Sequence, residues 1–164
     1  MSNIAETDGR LVKMAEIGVL HQTGILKTLL GSCIGVALYE RKLKVVGLAH
    51  VVMPNSMGRG ESLGKYADTA IPEAIRQMTA LARGAKLSLT AKIAGGANMF
   101  SHVSSNSTNT IGELNIVAVE EMLKVHQIPI LARHVGGTFG RRMVVDVDSG
   151  LVHIHVVGQT VVQI

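Results

Sequence analysis

A cysteine and a histidine are the two residues of this sequence whose types and setting could support nucleophilic chemistry. The single cysteine, Cys33, follows a Gly-Ser step in LLGSCIGVALYE, and His50 lies in the apolar segment GLAHVVMP. A cysteine nucleophile needs a base that takes its proton and a third group that orients the base. If the two segments form neighbouring strands, the side chains can meet. The pattern alone leaves open a buried free thiol beside a satisfied core histidine.

Other combinations of reactive residues are incomplete. GGTFGRR lacks the Lys-Ser/Thr ending of a P-loop, GGANMF lacks the third glycine of a dinucleotide fingerprint, and no GxSxG segment is present. We interpret the two Gly-Gly steps as sharp turns. Their N–H groups either only form the turn or also face a functional site. His153 and His155 share one face of a strand, without a cysteine pair or an HExxH segment, and we interpret them as residues of a solvated strand face. The sequence therefore predicts no metal and no cofactor.

The composition fits one globular domain over residues 1–164, with residues 1–9 frayed. Hydrophobic residues make up 47% of the chain and charged residues 17%. Aromatic residues are only 2%, and the net charge of +4 is spread along the chain, so we expect no nucleic-acid partner. One cysteine cannot form an internal disulfide, and neither a secretion signal nor an apolar run of about 18 residues is present. We therefore expect a cytoplasmic protein without membrane insertion.

The elements that must position Cys33 and His50 are strands that often follow one another directly, with two helices. Strands are predicted over residues 11–20, 25–30, 34–39, 44–53, 87–94 and 130–135, followed by a hairpin in RMVVDVDSGLVHIHVV. Three- and four-residue apolar spacing predicts helices over residues 67–83 and 111–126, the second opened by a Thr110–Glu113 capping box and preceded by a polar stretch, 101–109. The strand of His50 is apolar on both faces, so we expect it to be buried on both sides. This order favours an α+β fold with a mixed sheet.

Five segments carry a resemblance to a known family: GSCIGVALYE, GLAHVVMP, AKIAGGANMF, IGELNI and GGTFGRRMVVDVDSG. In this order, from about residue 10 to residue 157, the chain resembles the CheD family, the chemoreceptor glutamine deamidases of bacterial and archaeal chemotaxis. The resemblance implies mixed β-sheets in a sandwich flanked by helices, similar to the cytotoxic necrotizing factor toxins. It also implies a cysteine hydrolase that converts glutamines of methyl-accepting chemotaxis proteins to glutamates.

The resemblance further implies the roles of individual residues. Cys33 is the nucleophile, His50 the base, and Thr28 the third residue, whose hydroxyl orients the imidazole. The thiolate attacks the carboxamide carbon, ammonia leaves, and water hydrolyses the thioester to glutamate. Backbone N–H groups around Gly31 and Ser32, or in the glycine-rich turns, are expected to hold the oxyanion.

Three assignments stay open at this point. The function could instead be that of a non-catalytic adaptor that binds the CheC phosphatase, or of a scaffold on the receptor array. The acceptor that orients His50 could be Thr23, Ser32 or a main-chain carbonyl in place of Thr28. The glycine-rich loop Asn55–Gly64, which we expect to make few contacts, either borders the substrate groove or is only a connection.

Overall fold

The computed structural model describes residues 8–100 and 109–164, and these residues form two sheets and two helices. The strands are β1 (Arg10–Leu11), β2 (Ile17–His21), β3 (Ile25–Leu30), β4 (Ile34–Glu40), β5 (Val45–Val51), β6 (Leu89–Gly95), β7 (Ile130–Val135), β8 (Arg141–Asp146), β9 (Val152–His155) and β10 (Val162–Gln163). The helices are α1 (Ala67–Leu81) and α2 (Ile111–Val125). Within the described ranges, neither helix combines the length and apolar character needed to cross a membrane.

Each sheet is mixed. The central sheet has the order β2-β5-β4-β6-β7 and is antiparallel except for the parallel pair β6–β7. The outer sheet has the order β1-β3-β8-β9-β10 and is antiparallel except for the parallel pair β1–β3. The predicted α+β class with mixed sheets is therefore confirmed.

Two apolar cores separate three layers. One core lies between the helices and the central sheet and includes Ile34, Ile93, Met78 and Leu123. The other lies between the central and outer sheets and includes Leu26, Leu48, Met143 and Ile154. Because β5 has a core on each face, all seven of its residues are buried, as its apolar sequence predicts.

Most predicted elements are present, with ends that differ by a few residues. β3 and β7 have the predicted bounds, the terminal hairpin forms from β8 and β9, and the capping box joins Thr110 and Glu113 through both of its hydrogen bonds. The predicted frayed start and the polar stretch 101–109 lie largely outside the described residues. The exposed two-residue strand β10 has too little pattern to be predicted.

The predicted continuous strand over residues 11–20 is wrong. The chain turns between β1 and β2, where Ala15 has a φ of 65°. β1 pairs with β3 of the outer sheet, whereas β2 pairs with β5 of the central sheet, so the chain changes sheets at this turn. Val12, directly after β1, and Leu20 of β2 pack in the same core between the two sheets, so apolar residues lie on both sides of the turn.

Candidate active site

The register of β4 and β5 places Cys33 and His50 on one face of the central sheet. His50 lies opposite Gly35, and Cys33 precedes Gly35 by two residues, directly before β4 begins at Ile34. Such diagonal neighbours in an antiparallel pair are about 7–8 Å apart, within reach of long side chains. Gly35 has no side chain to stand between them. The backbone therefore brings the predicted nucleophile and base together.

Thr28, which belongs to the outer sheet, contacts His50 across the core between the two sheets. It lies on β3, fully buried, and its Oγ1 is 2.7 Å from Nδ1 of His50. The same hydroxyl donates a 2.6 Å hydrogen bond to the carbonyl oxygen of Val12. Lys27, the neighbour of Thr28, has the opposite orientation in the strand and faces away from this core. Among the described residues, the hydroxyl that contacts the imidazole is thus the predicted one, and Thr23 and Ser32 make no such contact.

The hydrogen bonds of Thr28 fix the tautomer of His50. A threonine hydroxyl has one proton, and here that proton is given to a carbonyl, which can only accept. Oγ1 must therefore accept from an N–H at Nδ1 of His50. The lone pair of the neutral imidazole is then on Nε2, which is buried and has no hydrogen-bond partner in the part of the chain that the structure describes. A free lone pair at this position is what a general base requires.

Burial determines the resting charge of both groups. It lowers the pKa of His50, against smaller contributions from the Val12 carbonyl and the Glu16 carboxylate that raise this pKa. Burial also raises the pKa of the Cys33 thiol; the residue Cys33 is 8% exposed, compared with 2% for His50. At neutral pH the pair therefore rests as an uncharged thiol and an uncharged imidazole. A nucleophilic attack by this sulfur would require its proton to pass to an acceptor, and the free Nε2 is a candidate for that acceptor.

The turn at Gly95-Gly96 holds the backbone of the nucleophile loop, which we define as residues 31–33. Gly96 donates its N–H to the Cys33 carbonyl, and Ala97 donates its N–H to the Gly31 carbonyl, both at 2.9 Å. Gly95 has a φ of 111°, and a Cβ there would collide with the Cys33 carbonyl. The amides of Gly96 and Ala97 are thus engaged by the loop. The expectation that this glycine-rich turn presents free N–H groups to an oxyanion does not hold for these two amides.

Asn115 contacts the site and was missed in the sequence. It lies on α2, 0% exposed, and its Nδ2 donates to the carbonyls of Ser32 and Val52, both at 3.0 Å. The available signal was a polar residue at a position of the apolar stripe of α2, one turn before Val119. An asparagine there has to find buried hydrogen-bond partners.

A groove of about 660 Å³ opens beside Gly31. Its lining is largely apolar and includes Leu29, Met99, Phe139, Arg142 and Val157. Leu29 is 64% exposed and Phe139 is 62% exposed, so large apolar surfaces face solvent next to the nucleophile loop. Contiguous exposed apolar surface of this kind is typical of a binding site.

The loop Asn55–Gly64 makes more contacts than its composition predicts. Ser56 is buried, and its N–H and hydroxyl donate to the two carboxylate oxygens of Asp68 at 2.9 and 2.7 Å. Near the other end, the hydroxyl of Thr69 donates to the Leu63 carbonyl at 2.6 Å. The expectation of few contacts is therefore wrong at the two ends, although residues 57–61 between them are exposed.

His153 and His155 lie on β9 of the outer sheet. Both are half-buried rather than solvated, and burial together with Arg142 and His153 lowers the pKa of His155. Within the two described ranges, no three His, Cys, Asp or Glu side chains come together in a way that could hold a metal ion.

Comparison with known proteins adds an independent line of evidence. A family model described as CheD chemotactic sensory transduction matches residues 52–156. A probable chemoreceptor glutamine deamidase CheD of Clostridium botulinum (strain Alaska E43 / Type E3) is 41% identical over 157 residues, which cover 93% of this chain and 96% of the relative. The chemoreceptor glutamine deamidase CheD of Halalkalibacterium halodurans is 41% identical over 153 residues, 90% of this chain and 93% of the relative. A probable chemoreceptor glutamine deamidase CheD of Methanococcus maripaludis (strain C6) is 42% identical over 142 residues, 86% of this chain and 90% of the relative.

Proposed function

Because the chain belongs to the CheD family, we propose that it is a chemoreceptor glutamine deamidase, a hydrolase that converts glutamine side chains of methyl-accepting chemotaxis proteins to glutamates. One observation carries the assignment of the reaction to residues: the Thr28 hydroxyl holds Nδ1 of His50, and the free Nε2 lies on the same sheet face as Cys33. A satisfied core histidine would have both ring nitrogens paired.

The proposed reaction proceeds by two acyl transfers. Nε2 of His50 takes the Cys33 proton as sulfur attacks the glutamine carboxamide carbon, and the carbonyl oxygen becomes an oxyanion. When the oxyanion collapses, the C–N bond breaks, and the imidazolium gives its proton to the departing ammonia. A water molecule, deprotonated by Nε2, then attacks the thioester carbon, and the Cys33 sulfur leaves and takes back the proton. Throughout, Thr28 accepts from Nδ1–H and keeps the ring oriented.

The direct test is mass spectrometry of a purified cytoplasmic receptor fragment incubated with this protein. Each glutamine converted to glutamate adds about one mass unit, because an amide becomes an acid. We expect the mass increase at a small set of glutamines and an equal release of ammonia. A natively folded protein that leaves every fragment mass unchanged would contradict the proposed function and favour an adaptor.

We extend the proposal to three further properties that the family resemblance implies. The fold would be shared with the cytotoxic necrotizing factor toxins, which is supported by two packed mixed sheets with helices on one side. The CheC phosphatase would be a second partner. The protein would work in the cytoplasm, where a free thiol such as Cys33 stays reduced.

The acidic limb of the pH profile is expected to lie below about pH 6.5, the ordinary pKa of histidine. Burial lowers the pKa of His50, so Nε2 stays unprotonated, and active as a base, to a lower pH than an exposed histidine would. Activity should be level just above pH 6.5 and fall as the pH drops through the lowered pKa. The measurement is kcat/KM for the receptor fragment between pH 4.5 and 9, with circular dichroism at each pH as the control. An acidic limb centred above pH 7 would contradict a histidine base with a lowered pKa and show that another ionisation controls the activity.

The groove beside Gly31 is the proposed binding site for the receptor helix that carries the glutamine. Phe139→Asp places a charge in this apolar lining, and we expect it to raise KM by about 10-fold or more, since an interfacial aromatic contact is commonly worth over 1 kcal/mol. Alkylation of Cys33 by iodoacetamide should be unaffected, because this small reagent does not need the groove. Val125→Asp, at an exposed position on α2, is the matched control. An unchanged KM for Phe139→Asp would show that the receptor helix binds elsewhere. The exposed middle of the loop Asn55–Gly64 would then be the next candidate.

A further inference from the structure

We propose that Asn115 is a positioning residue for the deamidation, which holds the nucleophile loop so that the amide N–H of Cys33 points at the oxyanion. The inference rests on the proposed function, because an oxyanion forms only if Cys33 attacks a carbonyl carbon. Asn115 would act through the peptide group between Ser32 and Cys33 and would not itself contact the substrate.

Burying the Asn115 side chain costs folding free energy, which points to a role other than packing. The side chain is fully buried on the face of α2 that also carries Val119 and Leu123. Its two N–H protons serve two carbonyls, while its Oδ1 is buried without a partner among the residues that the structure describes. A buried polar atom without a partner destabilises the fold, whereas a leucine would complete the apolar stripe at no such cost. Departures of this kind from good packing concentrate at functional sites.

The two carbonyls that Asn115 binds belong to the two strands of the site. Ser32 directly precedes Cys33, and Val52 follows His50 by two residues. The backbone pairing of β4 with β5 ends where Ile34 lies opposite Val51. The Nδ2 group therefore joins the two chains just beyond the last backbone pair. It fixes the chain that carries the nucleophile relative to the chain that carries the base.

The bond to Ser32 also sets the direction of the Cys33 amide. The peptide bonds of the described residues contain no cis form, and in a trans peptide the carbonyl and the following N–H point in opposite directions. Because the Ser32 carbonyl points at Asn115 on α2, the Cys33 N–H points away from the helix layer. No acceptor for this N–H is found within residues 8–100 and 109–164.

An amide on the nucleophile itself that has no acceptor among the described residues is well placed to stabilise an oxyanion, as the amide of the nucleophilic serine does in serine proteases. The nearby amides of Gly96 and Ala97 are already used to hold the loop. The carbonyls of Gly31 and Ser32 anchor the loop to Ala97 and Asn115, while the N–H groups of these two residues, like that of Cys33, have no acceptor within residues 8–100 and 109–164. Of these free amides, the Cys33 N–H belongs to the residue that carries the sulfur, and it is the one whose direction the Asn115 hydrogen bond to Ser32 sets.

The test compares two reactions of Cys33 in Asn115→Leu. Deamidation of the receptor fragment passes through an oxyanion, whereas alkylation by iodoacetamide occurs at a saturated carbon and does not. We expect kcat to fall by about 10²- to 10³-fold, the usual loss for one oxyanion donor, with KM within about 3-fold of wild type. The alkylation rate should fall at least 10-fold less than kcat. Val119→Ala, a core truncation on the same helix, is the control for general destabilisation and should leave kcat within about 3-fold.

Each outcome of this experiment bears on the inference. Equal losses in kcat and in alkylation would overturn it and make Asn115 a structural residue, as would an unchanged kcat. If Asn115→Leu does not fold, Asn115→Ser, which removes both hydrogen bonds without adding bulk, is measured in the same way. Wild-type protein that does not deamidate the fragment at all would refute the proposed function, whereas an active wild type with an unimpaired Asn115→Leu would refute the role of Asn115 alone.

Discussion

Cys33→Ala and His50→Ala are each expected to abolish deamidation of the receptor fragment while the protein stays folded. Sulfur is the only atom at this position able to form the thioester, and without Nε2 the buried thiol, with its raised pKa, has no acceptor for its proton. Nucleophile and base act as one unit, so each single substitution should lower kcat by about 10⁶-fold. The double variant should lose no more activity than either single variant. The mass-spectrometric time course, with circular dichroism of each variant, measures both points.

The controls separate loss of chemistry from loss of structure. His126→Ala removes an exposed histidine that follows α2 and should deamidate at the wild-type rate. Cys33→Ser keeps the shape of the side chain but lowers its nucleophilicity, so it should stay inactive. Turnover near the wild-type rate in either Cys33→Ala or His50→Ala would exclude this pair as the catalytic residues.

The second large effect is expected at Thr28. Thr28→Val keeps the shape of the side chain but removes the hydroxyl that accepts from Nδ1–H and donates to Val12. The imidazole then loses the group that fixes its tautomer, and we expect kcat to fall by about 10²- to 10⁴-fold, the range for acid–base catalysis that is no longer positioned. Steady-state kinetics of deamidation give the size of the loss.

Thr28→Ser is the matched variant, because it restores the hydroxyl and should recover most of the activity. Thr28→Val with near-normal activity would contradict the role of the hydroxyl. The Val12 carbonyl, already within reach of this hydrogen-bond network, would then be the acceptor that orients His50.

The proximity of Cys33 and His50 was predictable because it depends on neighbouring strands. Two apolar runs separated by a short charged turn form a hairpin, and the alternation along each strand decides which residues share a face. The helix start at Thr110 was predictable for a similar reason, since a capping box is complete within four residues. Local pattern was sufficient in both cases.

The contacts of Thr28 and Asn115 were not predictable in this way. Thr28 meets His50 across the space between two sheets, and a strand pattern does not say which sheet a strand joins. The same limitation explains why residues 11–20 were predicted as one strand although they contribute to both sheets. Asn115 binds a carbonyl 83 positions away in the chain, which depends on how α2 packs on the central sheet. Such contacts arise from tertiary packing, which periodicity does not encode.

The hydroxyl at Thr28 has a consequence for the chemical durability of the enzyme. A carboxylate in its place would favour a charged imidazolium and, through it, a standing thiolate. A neutral hydroxyl favours neither charged form, so Cys33 stays a protonated thiol while no substrate is bound. Peroxide and other electrophiles react with thiolates far faster than with thiols. With Cys33 as the proposed nucleophile, we therefore expect the protein to resist oxidative inactivation as long as no receptor is bound.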